Sequence, residues 1–239
     1  MAVCPHCSRE IEDASRFCRY CGGEIHTPLP RPDKPPESPP PSPLLQPGEY
    51  LKTGWRLFRQ FPGGFVVFTL VYLVILAVIS HPRGIGWLAA TAIHEPLTAG
   101  VIIVAAKLLQ DKNPRFRDFF GGFQFRYFLP LVLLGLISRI LITIGLILLI
   151  APGVYLMVSY IFATPLLVDR GLDFWPALEE SRRFVTPRWF SFFGFILLLL
   201  LVNLAGILAL GVGLLVSIPV SWCAVMAAYA DIMGLQSDY

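Results

Sequence analysis

Six apolar stretches, each about long enough to cross a lipid bilayer, dominate this sequence from residue 63 onward. A helix needs roughly 20 predominantly apolar residues to span the hydrocarbon core, and about 17 can suffice. Because backbone polar groups in lipid must be bonded internally, such stretches fold as helices. We therefore predict an all-α membrane helical bundle. Its six spans are predicted at Gly63–Ser80, Gly84–Ala106, Phe128–Ile150, Val154–Val168, Trp189–Leu210 and Val212–Ala230.

The composition agrees with a membrane protein and excludes other classes. Hydrophobic residues make up 55% of the 239 residues and charged residues only 15%, whereas a soluble domain carries about 25% charged residues. The net charge of +3 is too small to indicate a nucleic-acid partner. The sequence contains no GxSxG motif, no phosphate-binding glycine loop and no HExxH motif, so we expect no enzyme.

The distribution of basic residues predicts how the spans are oriented. The segments before the first span, between the second and third, and between the fourth and fifth hold 17 of the 19 lysines and arginines. Positive residues concentrate in cytoplasmic loops, so we expect both termini and both long loops in the cytosol. No apolar stretch follows Met1, and we expect no cleaved signal peptide. The predicted location is the cytoplasmic (inner) membrane.

Two glycine-containing turns separate neighbouring spans in this prediction. Pro152–Gly153 and the segment 211–213 interrupt otherwise continuous apolar runs. Glycine and proline commonly mark turns, so we interpret each interruption as a tight turn between two antiparallel helices.

Four cysteines near the N-terminus form two C-x2-C pairs, Cys4 with Cys7 and Cys18 with Cys21, separated by 10 residues. Two such pairs supply the closed shell of four thiolates that a structural zinc ion prefers. About 25 residues cannot bury enough surface to fold alone, so metal binding would supply the folding free energy. Two disulfides would need an oxidising compartment, and a redox pair would need a thioredoxin-like context. The pattern predicts one structural zinc held by all four cysteines.

A proline-rich segment follows the cysteines. Residues 27–47 contain 10 prolines in 21 positions. Such a segment favours polyproline II at roughly 3.1 Å per residue and would separate its ends by up to about 60 Å. It is interpreted as a spacer, and docking to a proline-binding partner domain is the alternative.

Residues 48–62 are predicted to form an amphipathic interfacial helix, in which Leu51, Trp55 and Phe58 share one face. The predicted domains are therefore a zinc ribbon at 1–26, a linker at 27–47, this helix, and a membrane domain at 63–239.

Two further segments between the spans have the character of surface helices. Asn113-Pro114 begins an aromatic and basic stretch, and Asp173 is placed to cap a helix in which Glu179 and Arg183 pair at i,i+4. These segments either pack on one face of the bundle or recognise lipid.

Four polar residues lie inside the predicted spans: His94, Glu95, Arg139 and Asn203. A charge at the bilayer centre costs at least about 3 kcal/mol, so it should face the bundle and be paired. Glu95 and Arg139 are predicted at matching depth, which gives either a structural ion pair or, with His94, a polar cavity for a small anion, a lipid head group or a proton. Asn203 is interpreted as a contact between helices.

Two parts of the sequence resemble known families. Residues 1–25, with the cysteine pairs and Gly22, resemble the short zinc ribbon found at the N-terminus of many bacterial membrane proteins. Residues 96–123 and 151–186 resemble a broad bacterial group similar to the membrane domain attached to some glycerophosphodiester phosphodiesterases. The resemblance implies a zinc head, formed by a small β-hairpin module, on a helical membrane domain that carries no catalytic residues.

These features predict an integral membrane protein of non-enzymatic character, whose cytosolic structural-zinc head mediates protein interaction or sensing. Its expected partners are the lipid bilayer and a protein bound through the ribbon. The alternative is a transporter or lipid-handling protein with a polar site at His94, Glu95 and Arg139.

Overall fold

The computed structural model describes residues 2–3, 7, 10–11, 20–21, 45–79, 86–209 and 211–237, with the backbone alone for residues 2–3, 10–11 and 86–89. The chain separates into two compact units, Met1–Pro41 and Ser42–Tyr239. The predicted ribbon at 1–26 and the predicted membrane domain at 63–239 therefore fall in different units.

The first unit contains two short antiparallel strands, β1 (Ala2–Val3) and β2 (Glu10–Ile11). Ala2 lies opposite Ile11 and Val3 lies opposite Glu10. The segment that joins the strands carries the first C-x2-C pair. A hairpin at this position agrees with the predicted ribbon module.

The described part of the second unit is built from helices. Its nine α-helices are α1 (Pro47–Gln60), α2 (Pro62–Ile79), α3 (Gly86–Leu109), α4 (Phe125–Leu148), α5 (Ile150–Ser159), α6 (Ala163–Arg170), α7 (Phe174–Val185), α8 (Trp189–Leu208) and α9 (Leu214–Met233). Two 3-10 helices lie between them, Phe116–Phe123 and Thr186–Arg188. The first is called the aromatic 3-10 helix below.

Among the described residues, six helical segments are long and apolar enough to cross a membrane, judged by length and composition. They are Pro62–Ile79, Ala90–Leu109, Phe125–Leu148, Ile150–Arg170, Phe174–Leu208 and Leu214–Met233. Each contains most of one predicted span, so the predicted number of spans and the all-α membrane bundle are confirmed.

The fourth span differs from its predicted form because two helices build it. Helix α5 ends at Ser159 and α6 begins at Ala163. Ser181 of α7 satisfies backbone groups at the break, because its hydroxyl donates to the carbonyl oxygen of Ser159 (2.7 Å) and accepts from the amide of Phe162 (3.2 Å). A break in an apolar segment is tolerated where neighbouring side chains bond the freed groups.

The turn between α4 and α5 is also displaced from its predicted position. Leu149 is the residue between the two helices, with an extended backbone, and Pro152–Gly153 lies in the first turn of α5. Proline is tolerated in the first helical turn because its missing amide hydrogen has no partner there. The other predicted turn is confirmed, since α8 ends at Leu208, α9 begins at Leu214, and Gly211 between them has a φ of +75°.

Helices α3 and α9 occupy the centre of the second unit. Within the spans that contain them, 67% of the apolar window is buried, against 22% for the spans of α2, α4 and α8. The poorly buried helices expose large aliphatic side chains such as Val78, Ile147 and Leu200. This distribution is the one expected for peripheral helices that face lipid around a packed centre.

Helix α1 packs along α9. Its buried residues are Tyr50, Gly54, Leu57 and Phe58, whereas Trp55 is 47% exposed. The side of α1 that meets α9 is therefore rotated around the helix axis relative to the predicted apolar face. Gly54 lies on this side and allows close contact, since a Cβ there would lie 2.7 Å from the carbonyl oxygen of Val220.

A hydrogen bond fixes the N-terminal end of α1 on α9. The hydroxyl of Tyr50 donates to Oδ2 of Asp231 at 2.8 Å. Burial, followed by this hydrogen bond, raises the pKa of Tyr50 to about 12, so the hydroxyl remains a donor at neutral pH.

The aromatic 3-10 helix packs against α3, and its buried residue Phe119 joins it to α2 and to Phe61, the residue before α2. The Phe119 ring lies 4.6 Å from the ring of Phe68, 5.3 Å from Phe65 and 6.3 Å from Phe61, measured between centroids. The predicted surface stretch after Asn113-Pro114 therefore packs on the bundle through this ring.

The predicted helix after Asp173 is α7. The predicted pair is confirmed, because Nε of Arg183 lies 2.7 Å from Oε1 of Glu179, and Arg182 also binds this carboxylate. Asp173 occupies the N-cap position, but in the described structure its carbonyl, and not its side chain, accepts from the amide of Ala177 at 3.1 Å.

Candidate metal centre and intramembrane polar cluster

The predicted zinc ligands lie partly within the described residues. Cys7 is half-buried and Cys21 is exposed, and both occupy turns. Cys4 and Cys18 lie outside the described residues. Pairing of β1 with β2 brings together the two ends of the segment that carries the first cysteine pair. Four thiolates in two C-x2-C pairs are a donor set that suits tetrahedral zinc, so the residues present fit this metal.

The predicted intramembrane residues His94 and Glu95 form the core of a polar cluster between α3 and α6. Nδ1 of His94 lies 3.3 Å from Oε1 of Glu95. The hydroxyl of Thr164 donates to the other carboxylate oxygen, Oε2, at 2.9 Å. The ring of Tyr72, from α2, meets the His94 ring edge-on with centroids 6.0 Å apart.

Arg139 approaches the same part of α3 but bonds a different residue. Its Nη1 donates to the hydroxyl of Thr91, one helical turn before Glu95, at 3.3 Å. Gly135 of α4 permits this approach, since a Cβ there would lie 3.5 Å from the Thr91 carbonyl oxygen and 2.5 Å from Cγ of Glu95. Among the described residues, no ion pair joins Glu95 to Arg139. Each of the two charged side chains therefore bonds a hydroxyl group on a neighbouring helix.

Asn203 lies outside this cluster and connects α8 to α9. Its side-chain amide nitrogen donates to the hydroxyl of Ser221 at 2.8 Å, and its amide oxygen accepts from the hydroxyl of Ser217 at 3.0 Å. These bonds agree with its interpretation as a contact between helices.

Sequence reasoning missed Thr164 and Thr91, the hydroxyl partners of the two charges. It also missed Asp169, which is 3% exposed at the end of α6. The carboxylate of Asp169 accepts from the Tyr229 hydroxyl at 2.8 Å and from the amide of Ser237 at 2.9 Å, and so attaches the tail after α9. An acidic residue at the end of an apolar run is the signal for Asp169, whereas threonine carries none.

Two threonines of the bundle give a matched test of the polar cluster. Thr164→Val removes a hydrogen bond to a carboxylate and is expected to cost about 1.5–3 kcal/mol of unfolding free energy. Thr98→Val removes a buried hydroxyl that has no partner in the described structure, so it is expected to be neutral or stabilising. Unfolding free energies of the purified protein in mixed micelles measure both changes. Equal losses in the two variants would contradict the assigned bond.

Comparison with known proteins identifies the first unit. The model of a zinc-ribbon domain matches residues 3–25, which contain all four predicted ligands. The match implies zinc binding. No curated protein and no solved structure matched the chain. The resemblance of residues 96–123 and 151–186 to the membrane domain of glycerophosphodiester phosphodiesterases therefore stays a prediction. The chain is a membrane protein with six candidate spans and an N-terminal zinc-ribbon domain.

Proposed function

We propose that this protein is a non-enzymatic membrane anchor whose zinc ribbon is a cytosolic head for protein interaction or sensing. The observation that carries the proposal is the ribbon at residues 3–25, placed in a compact unit separate from the helical unit that begins at Ser42. About 25 residues are too few to bury a core that could enclose a substrate, which favours a role in binding a protein partner.

In this proposal, Cys4, Cys7, Cys18 and Cys21 hold one zinc ion, which supplies the folding free energy of the head. The proline-rich segment 27–47 keeps the head within about 60 Å of the helical unit. Confinement to this layer raises the effective concentration of the head for any partner at the same membrane. The three basic segments that hold 17 of 19 lysines and arginines support a cytosolic head on an inner membrane.

The experiment is recovery of cross-linked partners from intact cells with three forms of the full chain. The wild type is expected to recover a defined protein set, and Cys4→Ser/Cys18→Ser is expected to lose at least about nine-tenths of it, because the head no longer folds. Cys223→Ala is the matched control, since it removes a buried cysteine from α9 in the other unit. Equal recovery by all three forms would refute the proposal, provided that all three reach the membrane in equal amounts.

The polar cluster supports a second candidate function, the handling of a lipid or a small solute. An open groove of about 370 Å³ lies between α2, α8 and α9, and Tyr72 lines it. Tyr72 also contacts His94, so one side chain borders both the groove and the His94–Glu95 pair. Under this candidate, mass spectrometry of the purified protein detects a retained molecule that Glu95→Gln releases. Ser138→Ala should retain the molecule, since its hydroxyl bonds the carbonyl of Gly135 in its own helix. No difference between these variants would reject the candidate.

A further inference from the structure

A cavity of about 630 Å³ opens where α3 ends and α4 begins, beside the aromatic 3-10 helix. Three basic side chains line it, Lys107, Arg117 and Arg126, together with one carboxylate, that of Asp118. Two groups that suit the polar part of a ligand, the Gln124 amide and the Tyr127 ring, complete this side of the cavity. The lining therefore carries an excess of positive charge.

The single carboxylate is already bound to one of the three cations. Nζ of Lys107 lies 2.9 Å from Oδ2 of Asp118, which also accepts from the amide of Arg115 at 2.8 Å. Partial burial raises the pKa of Asp118, but the amide of Arg115 and the ammonium group of Lys107 lower it more, so the net pKa is below its ordinary value. Asp118 is therefore ionised at neutral pH, and it neutralises Lys107.

Two guanidinium groups then remain for a ligand. Within the described part of the chain, Arg117 and Arg126 form no ion pair, whereas Arg170 binds Glu180 and both Arg182 and Arg183 bind Glu179. Arg126 lies 5.5 Å from the centre of the Tyr127 ring, a contact that orients the guanidinium group and leaves its charge in place. Guanidinium groups bind phosphate through bidentate hydrogen bonds, so two of them on one cavity suit a phosphate ligand.

The surroundings of the cavity place it at the surface of the membrane. The second candidate span ends at Leu109 and the third begins at Phe125, so most of the lining residues lie near these two span ends or in the segment between them. Aromatic side chains nearby are exposed, 99% for Phe125 and 40% for Phe128. Exposed aromatic rings beside basic residues are typical of the layer occupied by lipid head groups.

We propose that this cavity binds the phosphate group of an anionic phospholipid, held by Arg117 and Arg126 at the junction of the second and third spans. The lipid tails would lie against the exposed apolar surface of α4. The inference depends neither on the ribbon nor on the Glu95 cluster, because it uses separate residues.

The test is native mass spectrometry of the full chain, titrated in detergent with phosphatidylglycerol or with zwitterionic phosphatidylcholine. Wild-type protein is expected to bind phosphatidylglycerol about tenfold more tightly than phosphatidylcholine, and Arg117→Gln/Arg126→Gln is expected to remove this preference. Arg188→Gln is the matched control, since Arg188 is the N-cap residue of α8 and does not line the cavity. Equal loss in the control, or no preference in the wild type, would overturn the proposal.

Two further measurements complete the test: a variant that adds a negative charge to the cavity, and competition by a soluble phosphate. Gln124→Glu adds a carboxylate to the cavity at the N-cap of α4, where the helix dipole favours a negative charge, so this variant should fold. It is expected to weaken phosphatidylglycerol binding about tenfold without reducing helicity, and unchanged binding would count against the site. Glycerol 3-phosphate should not displace the lipid at equal concentration. Displacement would show a soluble phosphate as the ligand and would overturn the assignment to lipid.

Discussion

Removal of zinc from the purified protein is expected to unfold the ribbon at residues 3–25 and to leave the helical unit intact. The ribbon is far below the roughly 40 residues at which a domain can fold without metal, disulfides or partners. Metal binding supplies about 10–16 kcal/mol in comparable peptides, which exceeds any other single contribution available to this unit. The helical unit has its own buried core. Limited proteolysis and circular dichroism, before and after a chelator, measure the two outcomes separately.

Cysteine and histidine variants sharpen the zinc experiment. Cys18→Ser should behave as the chelated wild type and should bind less than one zinc ion per chain, because three thiolates leave the shell incomplete. His6→Asn should keep its zinc. His6 lies between Cys4 and Cys7 in the sequence, but four thiolates already complete the shell without it. A ribbon that resists protease after zinc has been removed, or a chain that loses zinc on substitution of His6, would contradict the assigned ligands.

The sequence predicts the six helical segments well because span length and composition are local properties of the chain. It predicts their internal form less well. At the break between Ser159 and Ala163, the freed backbone groups are bonded by the hydroxyl of Ser181, about 20 residues later. A local sequence pattern does not predict such a distant partner. The rotated face of α1 has a similar cause. A glycine adds nothing to the spacing pattern of apolar side chains, so hydrophobic periodicity does not use Gly54. Its close contact with α9 nevertheless determines which side of the helix meets α9.

For the candidate sites, too, the sequence predicts the residues that a local pattern identifies and misses the partners that only the fold supplies. Spacing alone predicts the zinc ligands, because C-x2-C geometry is built into a short segment and the ribbon match covers it. Glu95 and Arg139 are recognised from the rarity of charge in a span, and their shared depth follows from counting residues. Their bonded partners do not follow from counting. In the sequence, nothing distinguishes Thr164 and Thr91 from other threonines, and only the fold places their hydroxyl groups beside Glu95 and Arg139.

Gly100→Ala is expected to destabilise the helical unit by about 2 kcal/mol, although alanine favours helices over glycine. A Cβ at Gly100 would overlap the carbonyl oxygen of Phe119 and would lie 3.1 Å from its Cα. Because the added Cβ would meet backbone atoms of Phe119, which cannot rotate away as a side chain can, the aromatic 3-10 helix must move away from α3. The Phe119 ring, which contacts Phe68, would move with it. Overpacking of this kind costs up to about 3 kcal/mol, from which about 1 kcal/mol of helix propensity is subtracted.

Gly194→Ala makes the same chemical change in α8, at an exposed glycine whose Cβ would meet nothing within 4 Å. It is expected to stabilise the protein by up to about 1 kcal/mol, so the two substitutions should differ in sign. Gly122→Ala directs a Cβ at the carbonyl oxygen of Pro96 and tests a second contact between the same two helices. Because both glycines serve one docking surface, the double variant Gly100→Ala/Gly122→Ala should lose less than the sum of the single losses. Unfolding free energies in mixed micelles provide the comparison. Strict additivity, or a stabilising effect of Gly100→Ala, would mean that the aromatic 3-10 helix is not held against α3 by these two backbone contacts.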